Sequence, residues 1–182
     1  AKVLGYLGGI SGHCPVVGYY TDRYWGGTTP PAEAIVRAGL VPVQIEDITT
    51  FDLNTIDILM LNEADNRAPS REVLDRLDDV AAWVATGGVF VVHARFVTDD
   101  SRDPQPNPFL VGAPQVLADR DAADALDIDV IPPGDTLVTN GSHGTIDNDT
   151  LDGEHVYYSN HGFVLADSLA TIEGRVEAIL SA

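Results

Sequence analysis

Between residues 56 and 93 the chain carries a pattern that few folds accommodate: an apolar run, an amphipathic stretch with a helical period, two glycines, and a second apolar run. Ile56–Leu61 is apolar on nearly consecutive positions, as a strand covered on both faces must be. Pro69-Ser70 opens the next segment, in which Val73, Leu77, Val80 and Val84 fall at spacings of 4, 3 and 4 with Leu74 and Ala81 beside them. Arg71, Glu72, Asp75, Arg76, Asp78 and Asp79 fill the polar side of that helix. Gly87-Gly88 ends it, and Val89–Val92 is a further strand with His93 at its carboxyl end. Two strands joined by a helical crossover make a right-handed unit with the strands parallel.

The preceding residues extend the pattern. Val3–Leu7, closed by Gly8-Gly9, reads as a buried first strand, and residues 8–29, rich in Gly, Tyr and Thr, read as a long loop. Thr29 as N-cap, Pro30 in the first turn, Ile35 and Val36 on one side and Gly39 as stop predict a helix, followed by a strand over Val41–Ile45. Four strands alternating with helices predict an α/β domain with a doubly wound, mainly parallel, flavodoxin-like sheet. The second half is less regular. Pro104, Pro106, Pro108 and Pro114 mark residues 99–114 as a loop or insertion, and Asp119–Leu126 reads as a short helix. Thr136–Thr139, His155–Tyr158 and Phe163–Leu165 read as short β pieces, and Arg175–Leu180 as a strand or a frayed helix. The 182 residues are expected to form a single domain, 1–182. The chain stops soon after Leu180, before a further strand returns to the sheet, which fits an excised part of a longer chain.

From Phe51 to Phe96 the sequence runs FDLNTIDILMLNEADNRAPSREVLDRLDDVAAWVATGGVFVVHARF. This stretch, about a quarter of the chain, resembles the class I glutamine-amidotransferase-like superfamily and, within it, the trehalose-utilisation-like branch. In that family an apolar strand, an amphipathic helix, a Gly-Gly stop and a strand ending in a nucleophile elbow follow one another. The resemblance implies a site at the carboxyl ends of the strands and places His93 where an active amidotransferase has its cysteine. Imidazole cannot replace a thiolate in forming a stable thioester, so ordinary glutaminase activity is not expected. The branch accommodates His at this position. Cys14, behind the expected first strand, is the only cysteine, which excludes an internal disulfide and a cysteine-based zinc cluster.

Charge narrows the partners. Asp and Glu total 28 against 10 Lys and Arg, a formal charge of -18, with Lys2 the only lysine. Such a surface repels nucleic-acid phosphates and anionic lipid. No apolar run approaches the roughly 20 residues of a membrane span, so no membrane insertion is expected. The Asp-rich, Lys-poor composition suits an exported or extracellular protein, with the cytoplasm as the alternative, since the chain opens with Ala1-Lys2 and no visible signal peptide.

Three groups should converge on one rim. Asn62 and Glu63 follow the third expected strand, His93 and Arg95 the fourth, and the Gly8–His13 loop the first. A carboxylate, an imidazole and a guanidinium in one crevice can do acid–base work or bind a polyol or carboxylate, with Glu63, His93 and Arg95 as the catalytic candidates. The plainer alternative is an ion pair between Glu63 and Arg95 that ties two loops together. Tyr19, Tyr20, Tyr24 and Trp25 could stack on a sugar ring, or pack their loop onto the domain. The glycines Gly8, Gly9 and Gly12 do not open a helix as a dinucleotide motif must. His143, His155 and His161 have spacings of 12 and 6, unlike zinc-ligand patterns; His161 is the one most suited to face the crevice, because amidotransferase-like triads take their histidine from the C-terminal half. Asp147, Asp149 and Asp152 could offer oxygens to calcium, though Asx-turn chemistry explains them without an ion, and no cofactor is called for. Two functional classes follow: a binding or accessory module, taking a small polar ligand or other domains of a larger chain as partner, or an enzyme acting on a small polar metabolite such as a sugar.

Overall fold

The computed structural model describes residues 14–23, 31–63, 68–94, 104–111, 113, 115–119, 129–130, 140–141, 144–145, 163–169 and 180–181. The chain divides into two compact units, Val3–Phe96 and Val97–Ala182. In the first, the order is β1 (Val16–Asp22), α1 (Ala32–Arg37), β2 (Val41–Gln44), a 3-10 turn (Leu53–Thr55), β3 (Ile58–Glu63), α2 (Arg71–Ala85) and β4 (Val89–Ala94). The four strands form one sheet in the order β2-β1-β3-β4, and every pair is parallel. This is a parallel α/β sheet consistent with a Rossmann- or flavodoxin-like fold.

Register shows how the sheet is filled. Val17, Ile58 and Val89 lie side by side, and so do Tyr19, Met60 and Val91 two residues further along. These two apolar rows share a face, because side chains alternate along a strand. Ile35, Ala38 and Leu40, from α1 and the residues after it, pack against them and bury Val17 and Ile58 almost completely. Leu59 and Leu61, one residue out of phase, are buried on the opposite face. Because β2 lies on one side of β1 and β4 on the far side of β3, right-handed crossovers bring α1 and α2 to opposite faces.

Helix α2 is set by its ends as much as by its apolar stripe. The Ser70 hydroxyl accepts a hydrogen bond from the Val73 amide at 3.3 Å, capping the first turn. Thr86 and Gly87 close the other end, Gly87 at φ +110°, a conformation only glycine adopts freely. Val73, Val80 and Trp83 are buried, and each such side chain contributes about 2 kcal/mol on removal from water. Arg71 pairs with Asp75 and Arg76 with Asp79 along the polar side. At the start of the sheet Asp57 accepts a hydrogen bond from the Val16 amide at 2.8 Å, fixing β1 against the beginning of β3.

The sequence reading misplaces several elements. Residues 16–22, expected within a loop, are the first described strand and hold an inner position in the sheet; Val3–Leu7 lies outside the described residues. Glycine at position 18 makes this run look like a turn, yet it lies in the sheet, where a Cβ would come within 2.7 Å of Ile56 Cδ1 and 3.0 Å of Ile45 Cδ1 and would have to displace both side-chain ends. Helix α1 has Pro31 as its N-cap, and Val36 is 59% exposed rather than on the packed side. Asp119 ends strand β6, and the rest of the expected helix, residues 120–126, lies outside the described residues.

In the second unit β5 (Gln105–Pro106), β6 (Leu117–Asp119) and β10 (Phe163–Val164) form an antiparallel sheet in the order β10-β6-β5. β7 (Asp129–Val130) pairs with β11 (Leu180–Ser181), and β8 (Asn140–Gly141) with β9 (Gly144–Thr145). The short helix α3 (Ala166–Leu169) presents Ser168, whose hydroxyl accepts from the Leu117 amide at 3.0 Å and donates to the Leu165 carbonyl at 2.6 Å. Phe109, Val116 and Ala118 are buried here.

Candidate functional site

The strand order reverses direction between β1 and β3: β1 leads to a neighbour on one side, and the chain then crosses to the other. In open parallel sheets the crevice at the carboxyl ends of such strands is where ligands bind, because the crossovers diverge there. Two residues beyond Tyr19, Met60 and Val91, the apolar rows give way to Thr21, Asn62 and His93, again side by side. Polar residues at this point match the transition from buried sheet to open rim.

Asn62 is buried at 9% exposure, whereas His93 is exposed. His93 Nδ1 lies 3.0 Å from Asn62 Oδ1. An amide oxygen only accepts, so this contact requires the proton on Nδ1 and leaves the Nε2 lone pair of the neutral ring for a second partner. A buried amide thus orients an exposed imidazole, an arrangement suited to accepting a hydrogen bond or a proton from something in the crevice. Glu63 occupies the next register position, in a row with Asp22 and Ala94. By strand alternation Asp22 faces the side of the sheet opposite Asn62 and His93.

On that opposite face Asp22 is 2% exposed, and its carboxylate accepts the Ser70 amide hydrogen at 2.7 Å. It therefore ties the end of β1 to the cap of α2, where a negative charge is favoured by the unpaired amides of the first turn. Tyr20 precedes it. Burial first, then the carboxylates of Asp22, Glu72 and Asp47, raise the Tyr20 phenol above its ordinary value. Asp47, in the loop after β2, is held below the usual carboxylate range by the Thr49 hydroxyl, the Thr49 amide and the Thr50 hydroxyl. The carboxyl edge therefore carries a negative field around Tyr20.

Arg23 follows directly on β1. Its backbone has φ +50°, the only positive value at a non-glycine among the described residues. Its Nε, like that of Arg76, is buried without a hydrogen-bond partner. The left-handed backbone costs about 1–2 kcal/mol and an unpaired buried donor about 1–3 kcal/mol. Of the four described arginines, Arg37, Arg71 and Arg76 pair with carboxylates, and Arg23 does not. Sequence reasoning missed it, since with β1 unrecognised nothing marked residue 23 as a strand end.

Asn62 and His93 are in hydrogen-bond contact. Tyr24, Trp25, Arg95 and His161 lie outside the described residues, as do His143, His155, Asp147, Asp149 and Asp152. Tyr19 is buried, its hydroxyl 3.2 Å from Gln44 Oε1, so it belongs to the core and not to a stacking platform. Cys14 stands ahead of β1, its thiol exposed and 3.5 Å from the Gly39 carbonyl. It is at the amino end of the sheet. Among the described residues no three His, Cys, Asp or Glu side chains group as a metal ion would need, and no helix is long and apolar enough to cross a membrane.

No family model, no curated protein and no solved structure matches this chain.

Proposed function

We propose that this chain is a non-classical amidotransferase-like domain, of the trehalose-utilisation-like kind, that lacks a cysteine nucleophile and binds a small polar ligand as a module of an exported protein. The observation that carries this reading is the Asn62–His93 hydrogen bond at the carboxyl ends of β3 and β4, beside the reversal of strand order. A buried amide holding an exposed imidazole gives the crevice a fixed polar group, which recognition of hydroxyls requires. The Asp-rich composition supports export. A second reading, an enzyme acting on a sugar-like metabolite, draws on the same ring, because a neutral imidazole with one free lone pair is a general base.

A nuclear magnetic resonance titration with neutral and acidic mono- and disaccharides tests the binding reading. At least one sugar should shift the His93 ring and the Asn62 side-chain amide and leave Cys14 unmoved. His93→Ala should weaken that binding about 2- to 10-fold, the net worth of one hydrogen bond at an exposed ring, while His143→Ala leaves it unchanged. Equal loss in both variants, or no response of His93 to any sugar, removes the site.

A further inference from the structure

We propose that Arg23 is the specificity-determining residue of this crevice and that it reads an anionic group, a carboxylate or a phosphate, on the ligand. The inference rests on the binding reading above and names the class of ligand. Three independent features meet at this residue. It stands where β1 ends at the reversal of strand order, the position at which the sheet opens to a ligand. Its backbone adopts a left-handed conformation that glycine would take without strain. Its Nε is buried with no partner, as is that of Arg76, but the Arg76 guanidinium bonds through its other nitrogens to Asp79 and the Phe51 carbonyl, whereas Arg23 pairs with no described carboxylate.

The third feature weighs most in this chain. With 28 acidic residues against 10 basic ones, carboxylates are the abundant partner for any arginine. Arg37, Arg71 and Arg76 each take one, with side chains that are mostly exposed for Arg37 and Arg71 and mostly buried for Arg76. Among the described residues Arg23 takes none, and Asp22, its chain neighbour, is committed to the Ser70 amide. A left-handed backbone and a guanidinium with no described partner, meeting at one residue, point to a partner outside the fold. The planar fork of a guanidinium matches carboxylate and phosphate oxygens in pairs, which a hydroxyl cannot do.

The distances allow one ligand to span the site. β1, β3 and β4 are adjacent, so the backbone of His93 is about 10 Å from that of β1 at the usual strand spacing. A sugar acid with its ring hydroxyls at Asn62 and His93 could therefore extend its charged end to the long Arg23 side chain.

The probes are glucuronate for a carboxylate, glucose 6-phosphate for a phosphate, and glucose as the neutral control, with binding measured calorimetrically and Tm in parallel. One or both anionic sugars should bind at least tenfold more tightly than glucose. Arg23→Gly should erase that preference, a loss of about 10- to 100-fold, while raising Tm by about 2–4 °C as the strain is relieved. Arg23→Lys should keep part of the preference, since it retains charge without the fork. His93→Ala should weaken all three sugars alike. Equal affinity for glucose and both anionic sugars, or a preference that survives Arg23→Gly, overturns the role of Arg23 and leaves the crevice reading intact. A fall in Tm for Arg23→Gly with the preference unchanged makes Arg23 a packing residue. Absence of binding by all three overturns the inference and the crevice reading together.

Discussion

Tyr20 illustrates how a single side chain at the sheet's edge records its surroundings. Its phenol is shifted upward from 10.0, mainly by burial and then by the charges of Asp22, Glu72 and Asp47. The folded state therefore holds this proton more tightly than the unfolded chain does. Its contribution to stability is complete below pH 10 and is lost as pH rises from there through the folded value. Alkaline denaturation should accordingly be steeper above pH 10 in the natural protein than in Tyr20→Phe, which has no proton to lose. Parallel curves for the two proteins would show that neither burial nor the carboxylates shift the ring. Asp22, beside it, has the different task of holding the α2 cap, and the two neighbours divide one acidic patch between titration and architecture.

At the scale of elements, the close approach of α2 to β4 depends on one missing side chain. A Cβ on Gly88 would lie 2.3 Å from Trp83 Cε2 and 2.4 Å from Cδ2, against a rigid indole that cannot bend away. Gly88→Ala should destabilise the protein by about 1–3 kcal/mol, seen as a lower urea midpoint with unchanged slope; a midpoint within error of the natural protein would mean that helix and strand are less closely packed than described. This region was also the most legible in the sequence. Val73, Leu77, Val80 and Val84 announce α2 by spacing alone, Ser70 announces its start, and Ile58–Glu63 and Val89–Ala94 stand beside each other in parallel as the β-α-β pattern requires. β1 was illegible for an opposite reason. Its glycine, tyrosines and threonine read locally as loop, and only Ile45 and Ile56, distant in sequence, reveal what a side chain at position 18 would have to displace. The same error hid Arg23, whereas Asn62 and His93 could be placed because their strands were recognised.

For the first unit as a whole, what matters chemically is which end of the sheet a group occupies. Cys14 precedes β1 and His93 ends β4, so a seven-residue strand, about 20 Å long, separates the chain's one thiol from the imidazole. No nucleophile–base pair can form across that span. The protein should therefore release no ammonia from glutamine in a coupled assay; release that disappears in Cys14→Ser would contradict the geometry. The inner position of β1 also has a consequence in time. Its partners come from later in the chain, β2 on one side and β3 on the other, and the bond from the Val16 amide to Asp57 spans 41 residues. At a synthesis rate of about 5–20 residues per second, β1 waits roughly 2–8 s on the ribosome before β3 can join it. During that interval the segment that becomes the middle of the sheet has one open side, so a nascent chain paused between residues 45 and 57 would be the form most dependent on a chaperone.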